Sequence, residues 1–406
     1  MSILKKEHMT YLSSNINESD YKLCDFFTKE NALQGMHFIK TLEEYKETPL
    51  VNLKNLANKF SVKRIYVKDE SKRMGLNAFK GIGVLYGVVK VICKKFQLDF
   101  KSITFQDLLE EPLKEKIQSL TFIAATDGNH GKGLAWVSKK LGCSCHIYMP
   151  KNTTNARVKA IENFGATVIV TKENYDGTLR IAIDEAKKNN WEHIQDQTWQ
   201  GYTTIPNLIS EGYSIIAEEV CQQMAEDGIE RPTHILLQAG AGTFALGIMG
   251  YYGNIYKNNK PNMFILEPEN ANCYFASKVN QKYTTVDGDL ETVMAGLSVG
   301  EPNTVAWEVL STIVNGYVSC KDNVTATGMR VLGNPILDDE RIVSGESGAL
   351  GMGVLSMICR DKNLLEIKEK MNIDENSIIL LISTEGNTDP EVYEKIIWDG
   401  LYSIKL

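Results

Sequence analysis

The sequence predicts an α/β fold made of two Rossmann-like halves, and three observations carry that expectation. Between residues 120 and 189, short apolar or β-branched runs alternate steadily with helix-length amphipathic stretches. A second set with the same rhythm begins with a long helical stretch over residues 205–225 and continues almost to the C-terminus. The chain also has 406 residues and a hydrophobic fraction of 43%, enough for two domains with buried cores. Alternation of this kind implies parallel strands joined by crossover helices.

Residues 1–45 have a mixed pattern, and the regular part opens at Thr48-Pro49-Leu50-Val51-Asn52-Leu53. A proline at the start of an extended segment suits an edge strand or a pocket wall. Residues 64–68 form an extended run, a polar turn over residues 69–77 follows, and a glycine-spaced apolar helix pattern covers residues 82–92. A charged, helix-like insert occupies residues 105–120. Strand and helix then alternate as 120–125 and 131–141, 144–149 and 154–164, 167–171 and 175–189. In the second set, 234–238 reads as a strand, 243–256 as a helix and 262–267 as a strand. The rhythm continues through 304–313, 316–319, 326–332, 348–359 and 377–382. No internal repeat or low-complexity linker interrupts it.

A net charge of −7 argues against a nucleic-acid or acidic-membrane surface, because phosphate binding needs a basic field. A small-molecule enzyme fits better. The N-terminal residues lack an apolar signal core, and no window approaches the ~20 apolar residues of a spanning helix, so the expected location is cytoplasmic. Of the eight cysteines only Cys143 and Cys145 stand close, with no second pair at metal-ligand spacing, and buried reduced thiols are expected rather than a metal site.

Lys80 lies where the polar turn enters a helix. It is either a solvated helix-end residue or, desolvated by Ala78 and Phe79, an amine capable of nucleophilic chemistry. Gly240-Ala241-Gly242 follows a strand and opens a helix; such a segment is either a tight turn or an anion cradle of backbone N–H groups. The Walker pattern is absent, since no Gly-Lys-Ser/Thr closes this loop. Asn129 suits a helix N-cap, and Asp127 suits a cap or turn, while Asp196 follows a strand, where pocket residues often lie.

Taken in order, Asn77-Ala78-Phe79-Lys80, Thr126-Asp127-Gly128-Asn129-His130-Gly131 and Gln238-Ala239-Gly240-Ala241-Gly242-Thr243 resemble the fold-type II pyridoxal-phosphate enzymes of the tryptophan synthase β-subunit kind. Within them the chain is most similar to the diaminopropionate ammonia-lyases. Glu267-Pro268-Glu269-Asn270-Ala271 and Ser344-Gly345-Glu346-Ser347-Gly348-Ala349 resemble turns that line the cofactor in this family, although capping explains either stretch equally well. The match runs from about residue 48 to 389. It implies two three-layer domains with the cofactor in the cleft between them: a large domain of residues 1–82 and 204–406, and a small domain of residues 83–203.

The resemblance also implies residue roles. Lys80 would carry pyridoxal 5'-phosphate as a Schiff base and later act as acid or base. Asn129 would bond the phenolic oxygen, Ala239, Gly240, Ala241, Gly242 and Thr243 would hold the phosphate, and Ser383, with Thr384 as second choice, would meet the pyridine nitrogen. A neutral hydroxyl at that nitrogen limits carbanion lifetime and favours loss of a β-substituent over transamination.

Asp127 is a departure from serine and threonine dehydratases and cysteine synthases, which carry a small or hydroxylated residue before the Gly-Asn pair. Both Asp127 and Asp196 match diaminopropionate ammonia-lyase, where the resemblance assigns Asp127 to the D-isomer and Asp196 to the L-isomer. Two carboxylates suit a small amino-acid substrate with a β-ammonium group. The implied reaction is α,β-elimination to pyruvate and two ammonia, carried out by a homodimer. A serine or threonine dehydratase and a catalytically silent pyridoxal-phosphate binding or regulatory protein are the alternatives. Some family members carry a cysteine pair near the active site. Cys273 has no evident partner, with Ser298-Val299 in the later segment, and no disulfide is expected.

Overall fold

In the computed structural model, which describes residues 2–126, 128–151 and 153–404, the chain divides into two compact units. The first comprises Met1–Thr28, Glu47–Asn77 and Ile216–Leu406, the second Lys29–Lys46 and Ala78–Ile215. The division expected from sequence, 83–203 against the rest, differs by assigning residues 29–46, 78–82 and 204–215 to the larger part. Packing accounts for the difference. The Lys29–Ile39 helix carries Gly35, where a Cβ would come 2.7 Å from Ile215 Cδ1 and 2.9 Å from Tyr86 Cε2. A bare backbone lets that helix close on residues of the second unit that are distant in sequence.

In chain order the strands among the described residues are β1 Ile3–Lys5, β2 Met9–Ser13, β3 Leu50–Asn52, β4 Arg64–Asp69, β5 Thr121–Ala125, β6 Ser144–Met149, β7 Thr167–Val170, β8 Glu192–His193, β9 His234–Gln238, β10 Asn262–Pro268, β11 Gly316–Cys320 and β12 Ile378–Ser383. The first unit holds a sheet in the order β1-β2-β11-β10-β9-β12-β4-β3, the second a sheet in the order β7-β6-β5-β8. The second sheet is parallel throughout. The first is parallel only from β11 to β4.

Its margins lie outside the alternating segments expected to be parallel, and they are antiparallel. The β1–β2 hairpin adds antiparallel to β11, and β3 pairs antiparallel with β4 at the opposite edge. A three-residue strand such as β1 carries too little alternation to read from sequence, whereas Pro49 did point to the edge position of β3. The centre follows the expected chemistry. β9 and β12 are buried at every position, as strands covered on both faces must be, and they are nearly continuous apolar runs.

Ile65, Val67, Leu236, Phe264 and Val318 of the first sheet pack with Leu350, Val354 and Met357 of the Leu350–Arg360 helix in one core. Ile123, Ala125 and Tyr148 pack with Ala182 and Ala186 in the second unit. The helix expected over residues 243–256 is present but not uniform: α-helical Thr243–Ala245 gives way to a π-turn over Leu246–Gly250 before Tyr251–Tyr256 resumes. Among the described residues no helix is long and apolar enough to cross a membrane, and the eight cysteines are unpaired.

Parallel pairing fixes where the site residues emerge. In the first unit β4, β9, β10 and β12 end on one edge of the sheet, so the turn after Asp69, the Gly240 loop, Glu267 and Ser383 share it. In the second, β5 and β8 end together and bring the Thr126 and Asp196 segments to one edge. Carboxyl ends of parallel strands are where α/β folds bind ligands.

Candidate active site

Lys80 is the first residue of the Lys80–Phe96 helix. Two preceding residues, Gly75 (φ 69°) and Asn77 (φ 56°), are left-handed, a geometry that glycine and asparagine tolerate best. The Lys80 side chain is 24% exposed; its Nζ lies 2.5 Å from Asp196 Oδ2 and 5.8 Å from the centre of the Phe79 ring. Lys80 is therefore a paired amine rather than a free helix end. Behind it the helix is held close by small residues. A Cβ on Gly83 would meet Tyr213 Cε1 at 2.4 Å, and Tyr213 stacks obliquely on Phe79 with centroids 5.0 Å apart.

Asp196 is delivered by a short rigid loop that follows β8. Gln195 is clamped by Ala125 through both its amide atoms, at 3.1 and 2.8 Å, and its Nε2 also donates to Tyr175 Oη at 2.9 Å. The Gln195 N–H donates to Tyr202 Oη, which itself donates to the His193 carbonyl. Trp199 and Tyr202 close the loop with paired backbone bonds and rings stacked 4.1 Å apart. Burial alone would raise the Asp196 carboxyl. The neighbouring His130 ring and Lys80 outweigh it and hold the group well below the usual carboxylate range.

His130 is the site residue that the sequence reading named only as part of a motif. Its Nδ1 lies 3.5 Å from Asp196 Oδ2, and its Nε2 lies 2.7 Å from the Ile194 carbonyl. That carbonyl accepts, so Nε2 carries the hydrogen and Nδ1 is the atom turned to the carboxylate. His193, buried nearby, is pushed down to about 4 by burial and by His130. A histidine in a strand-to-helix turn is a weak signal on its own, and only the fold brings it to Asp196.

Asn129 opens the Asn129–Leu141 helix but does not cap it. The Thr126 hydroxyl accepts from the Gly128 N–H at 3.1 Å and the Gly131 N–H at 3.4 Å, so the capping alternative for Asn129 passes to Thr126. Asp127 lies outside the described residues.

In the first unit, the segment Ala239, Gly240, Ala241, Gly242 and Thr243 links β9 to the following helix. The Ala239 N–H is used by Leu266, but the N–H groups of Gly240, Ala241 and Gly242 have no acceptor among the described residues. Three consecutive donors left open at a helix start are suited to an anion. Ser383 ends β12, with its Oγ donating to Ser344 Oγ at 2.8 Å, and Thr384 Oγ1 accepts from Gln238 Nε2 at 3.0 Å. Both hydroxyls are buried at the strand-end edge of this unit. The other two stretches do cap or brace turns. Glu267 accepts from the Tyr274 and Phe275 N–H groups at 2.8 Å each, and Ser344 receives Ser383.

Each donor set, taken by itself, fits a part of pyridoxal phosphate: in the second unit an amine held at a carboxylate suits its aldehyde carbon, and in the first unit open N–H groups suit its phosphate. Among the described residues no cluster of His, Cys, Asp or Glu could hold a metal ion. The family model for pyridoxal-phosphate dependent enzymes matches residues 41–383. The diaminopropionate ammonia-lyase of Escherichia coli strain K12 is 43% identical over 401 residues, which cover 98% of this chain and all of the relative. Two crystal structures of the Escherichia coli enzyme superpose closely. That in complex with D-serine has a TM-score of 0.91 at 41% identity, covering 98% of this chain and 99% of that one. That in complex with an aminoacrylate-PLP azomethine reaction intermediate has a TM-score of 0.90 at 40% identity, covering all of both chains. The chain belongs to the fold-type II pyridoxal-phosphate dependent enzymes, and within them to the diaminopropionate ammonia-lyase family.

Proposed function

We propose that the chain catalyses α,β-elimination of 2,3-diaminopropionate, in both D and L forms, to pyruvate and two ammonia. The observation that carries this reading is the placement of Asp196 beside Lys80: a carboxylate held ionised at the amine that marks the reacting centre. When bound at Lys80, pyridoxal 5'-phosphate supplies the electron sink for charge left at the α-carbon. The Gly240–Thr243 segment would hold its phosphate, Asn129 its phenolic oxygen, and Ser383 or Thr384 its ring nitrogen.

The remaining work falls to the chain's own acids and bases. Asp196 would take the α-proton of the L-isomer and Asp127 that of the D-isomer, because protons on opposite faces need separate bases. Withdrawing the Lys80 charge from Asp196 removes one of the two neighbours that lower its carboxyl, leaving His130 alone to oppose the raising effect of burial, and so makes it a better proton acceptor. The substrate's β-amine must leave protonated, and an acidic site favours that ammonium over the neutral hydroxyl of serine. The D-serine complex of the Escherichia coli relative supports a site open to small amino acids of D configuration. A cytoplasmic homodimer belongs to the same proposal and rests on the family resemblance; sedimentation of the purified protein tests the dimer.

The deciding experiment measures pyruvate release from D- and L-2,3-diaminopropionate beside serine and threonine. Turnover of both diaminopropionate enantiomers, well above that of the hydroxy amino acids, is expected. Faster turnover of serine or threonine would replace this reading with a dehydratase.

A further inference from the structure

We infer that Tyr274 and Asn303 are positioning residues for the cofactor phosphate, pinning the Ala241–Gly242 peptide so that the Gly242 N–H is presented to the anion. The inference rests on the reading of the Gly240–Thr243 segment as the phosphate cradle and adds what holds that cradle in shape. No bond within the segment itself fixes its peptide planes, since the N–H groups of Gly240, Ala241 and Gly242 have no acceptor among the described residues.

The Ala241 carbonyl is held from outside by two donors. Tyr274 Oη reaches it at 2.9 Å and the Asn303 N–H at 2.6 Å. In a trans peptide the carbonyl and the next N–H point in opposite directions. Fixing the Ala241 oxygen toward Tyr274 and Asn303 therefore turns the Gly242 N–H away from them. The glycine is required at this point, because Gly242 has φ 94° and a Cβ there would come 2.0 Å from Tyr274 Oη.

Each clamp is itself anchored. Tyr274 stands in the first turn of the Cys273–Asn280 helix, and its own N–H is bound by the buried Glu267 carboxyl. Asn303 is fully buried and caps the Thr304–Ile313 helix, accepting from the Ala306 N–H at 3.0 Å, while its Nδ2 donates to Thr243 Oγ1 at 3.1 Å. Two helix starts thus hold the segment from outside, both at Ala241 and one also at Thr243. Neither Tyr274 nor Asn303 belongs to the glycine-rich motif, and both lie more than thirty residues downstream of it.

The test compares affinity for pyridoxal 5'-phosphate with affinity for pyridoxal, which lacks the phosphate, by titrating cofactor-free full-length protein and following the bound-cofactor absorbance. Tyr274→Phe keeps the ring against Gly242 and removes only the hydroxyl. It is expected to weaken pyridoxal phosphate binding about fivefold, one hydrogen bond's effect, with pyridoxal binding unchanged. Asn303→Ser keeps a capping oxygen and the backbone N–H to Ala241 and drops only the Nδ2 bond that anchors the segment at Thr243, so it tests that anchor and should lower the same ratio; it serves as the test should Tyr274→Phe fail to fold. Gly240→Ala, whose added Cβ would press on Gly296 O and Leu297 Cα at 3.2 Å, reports on the cradle itself. A ratio lowered by Gly240→Ala but left intact by Tyr274→Phe and Asn303→Ser overturns the clamp and leaves the cradle standing. A ratio that none of the three changes removes the phosphate from this segment, and the clamp with it.

Discussion

Asp196 Oδ2 receives Lys80 Nζ at 2.5 Å and faces His130 Nδ1 at 3.5 Å, so one carboxylate oxygen is shared by two nitrogen groups. This arrangement keeps the carboxyl ionised and fixes its direction. Removing the charge while keeping the shape should therefore affect proton transfer far more than binding. Asp196→Asn is expected to slow turnover of L-2,3-diaminopropionate by about 10²- to 10⁴-fold, the usual contribution of a positioned acid–base group, and to spare the D-isomer. Asp127→Asn should do the reverse. Parallel steady-state assays on both isomers check this, and equal damage to both isomers by either change would sink the two-base assignment.

The same site depends on a close helix approach that a single methyl group should upset. Alanine at Gly83 would place its Cβ 2.4 Å from the Tyr213 ring and 2.8 Å from the Ile209 carbonyl, and neither a packed ring nor a backbone atom yields easily. Overpacking of this kind costs roughly 1–3 kcal/mol. Gly75→Ala makes the comparison, because that position has φ 69° but no atom within 4 Å of an added Cβ, so only backbone strain of about 1 kcal/mol opposes it. Thermal melts should rank Gly83→Ala below Gly75→Ala. The reverse order would mean that the Tyr213 ring moves freely.

Beneath the turn that leads to Lys80, the first unit buries a compact set of charges. Arg73, Glu70, Lys68 and Glu219 are each 0% exposed. Arg73 donates to both carboxylates through paired contacts of 2.7–2.9 Å, and Lys68 donates to Glu219 at 2.7 Å. Charges of both signs balance within the cluster and pair with one another, which is why it is tolerated when buried. Arg73→Leu leaves two carboxylates facing one lysine, and a loss of about 3–5 kcal/mol is expected in urea denaturation. Arg73→Lys should recover only part, since an ammonium cannot reproduce the guanidinium fork. Full recovery by lysine would show that charge alone, without geometry, holds the turn.

How far the sequence revealed the protein varied with the range of the interaction. β6, β9 and the Tyr175–Asn189 helix were legible residue for residue, because period and length are local properties. Lys80 and Asp196 were singled out by ordered motifs, but their contact joins residues 116 apart and needed the fold. The β1–β2 hairpin and the placement of residues 29–46 were not legible, since short strands and packing partners distant in sequence leave no periodic trace. His130, Tyr274 and Asn303 were missed as individual actors for a related reason. Each acts through a neighbour supplied by another element, and as a residue type each is equally at home in an ordinary core or cap.

Glu267 supplies a pH test of how the segment behind the cradle is held. The residue is fully buried, and its carboxyl is pushed up to about 8 by burial, against the lowering effect of the Tyr274 and Phe275 N–H groups. Its ordinary value is 4.5. Between those two values the folded chain holds a proton that the unfolded chain releases, so this group's contribution to stability is complete below about 4.5 and is lost as the pH rises through 8. Glu267→Gln removes the titration while leaving an amide oxygen to accept from the Tyr274 N–H. The difference in melting temperature between wild type and Glu267→Gln should therefore shift steadily in favour of the glutamine variant from pH 5 to pH 8, because other titrating groups are common to both proteins. Parallel melting curves across that range would show that Glu267 stays ionised in the fold, held so by its two backbone donors.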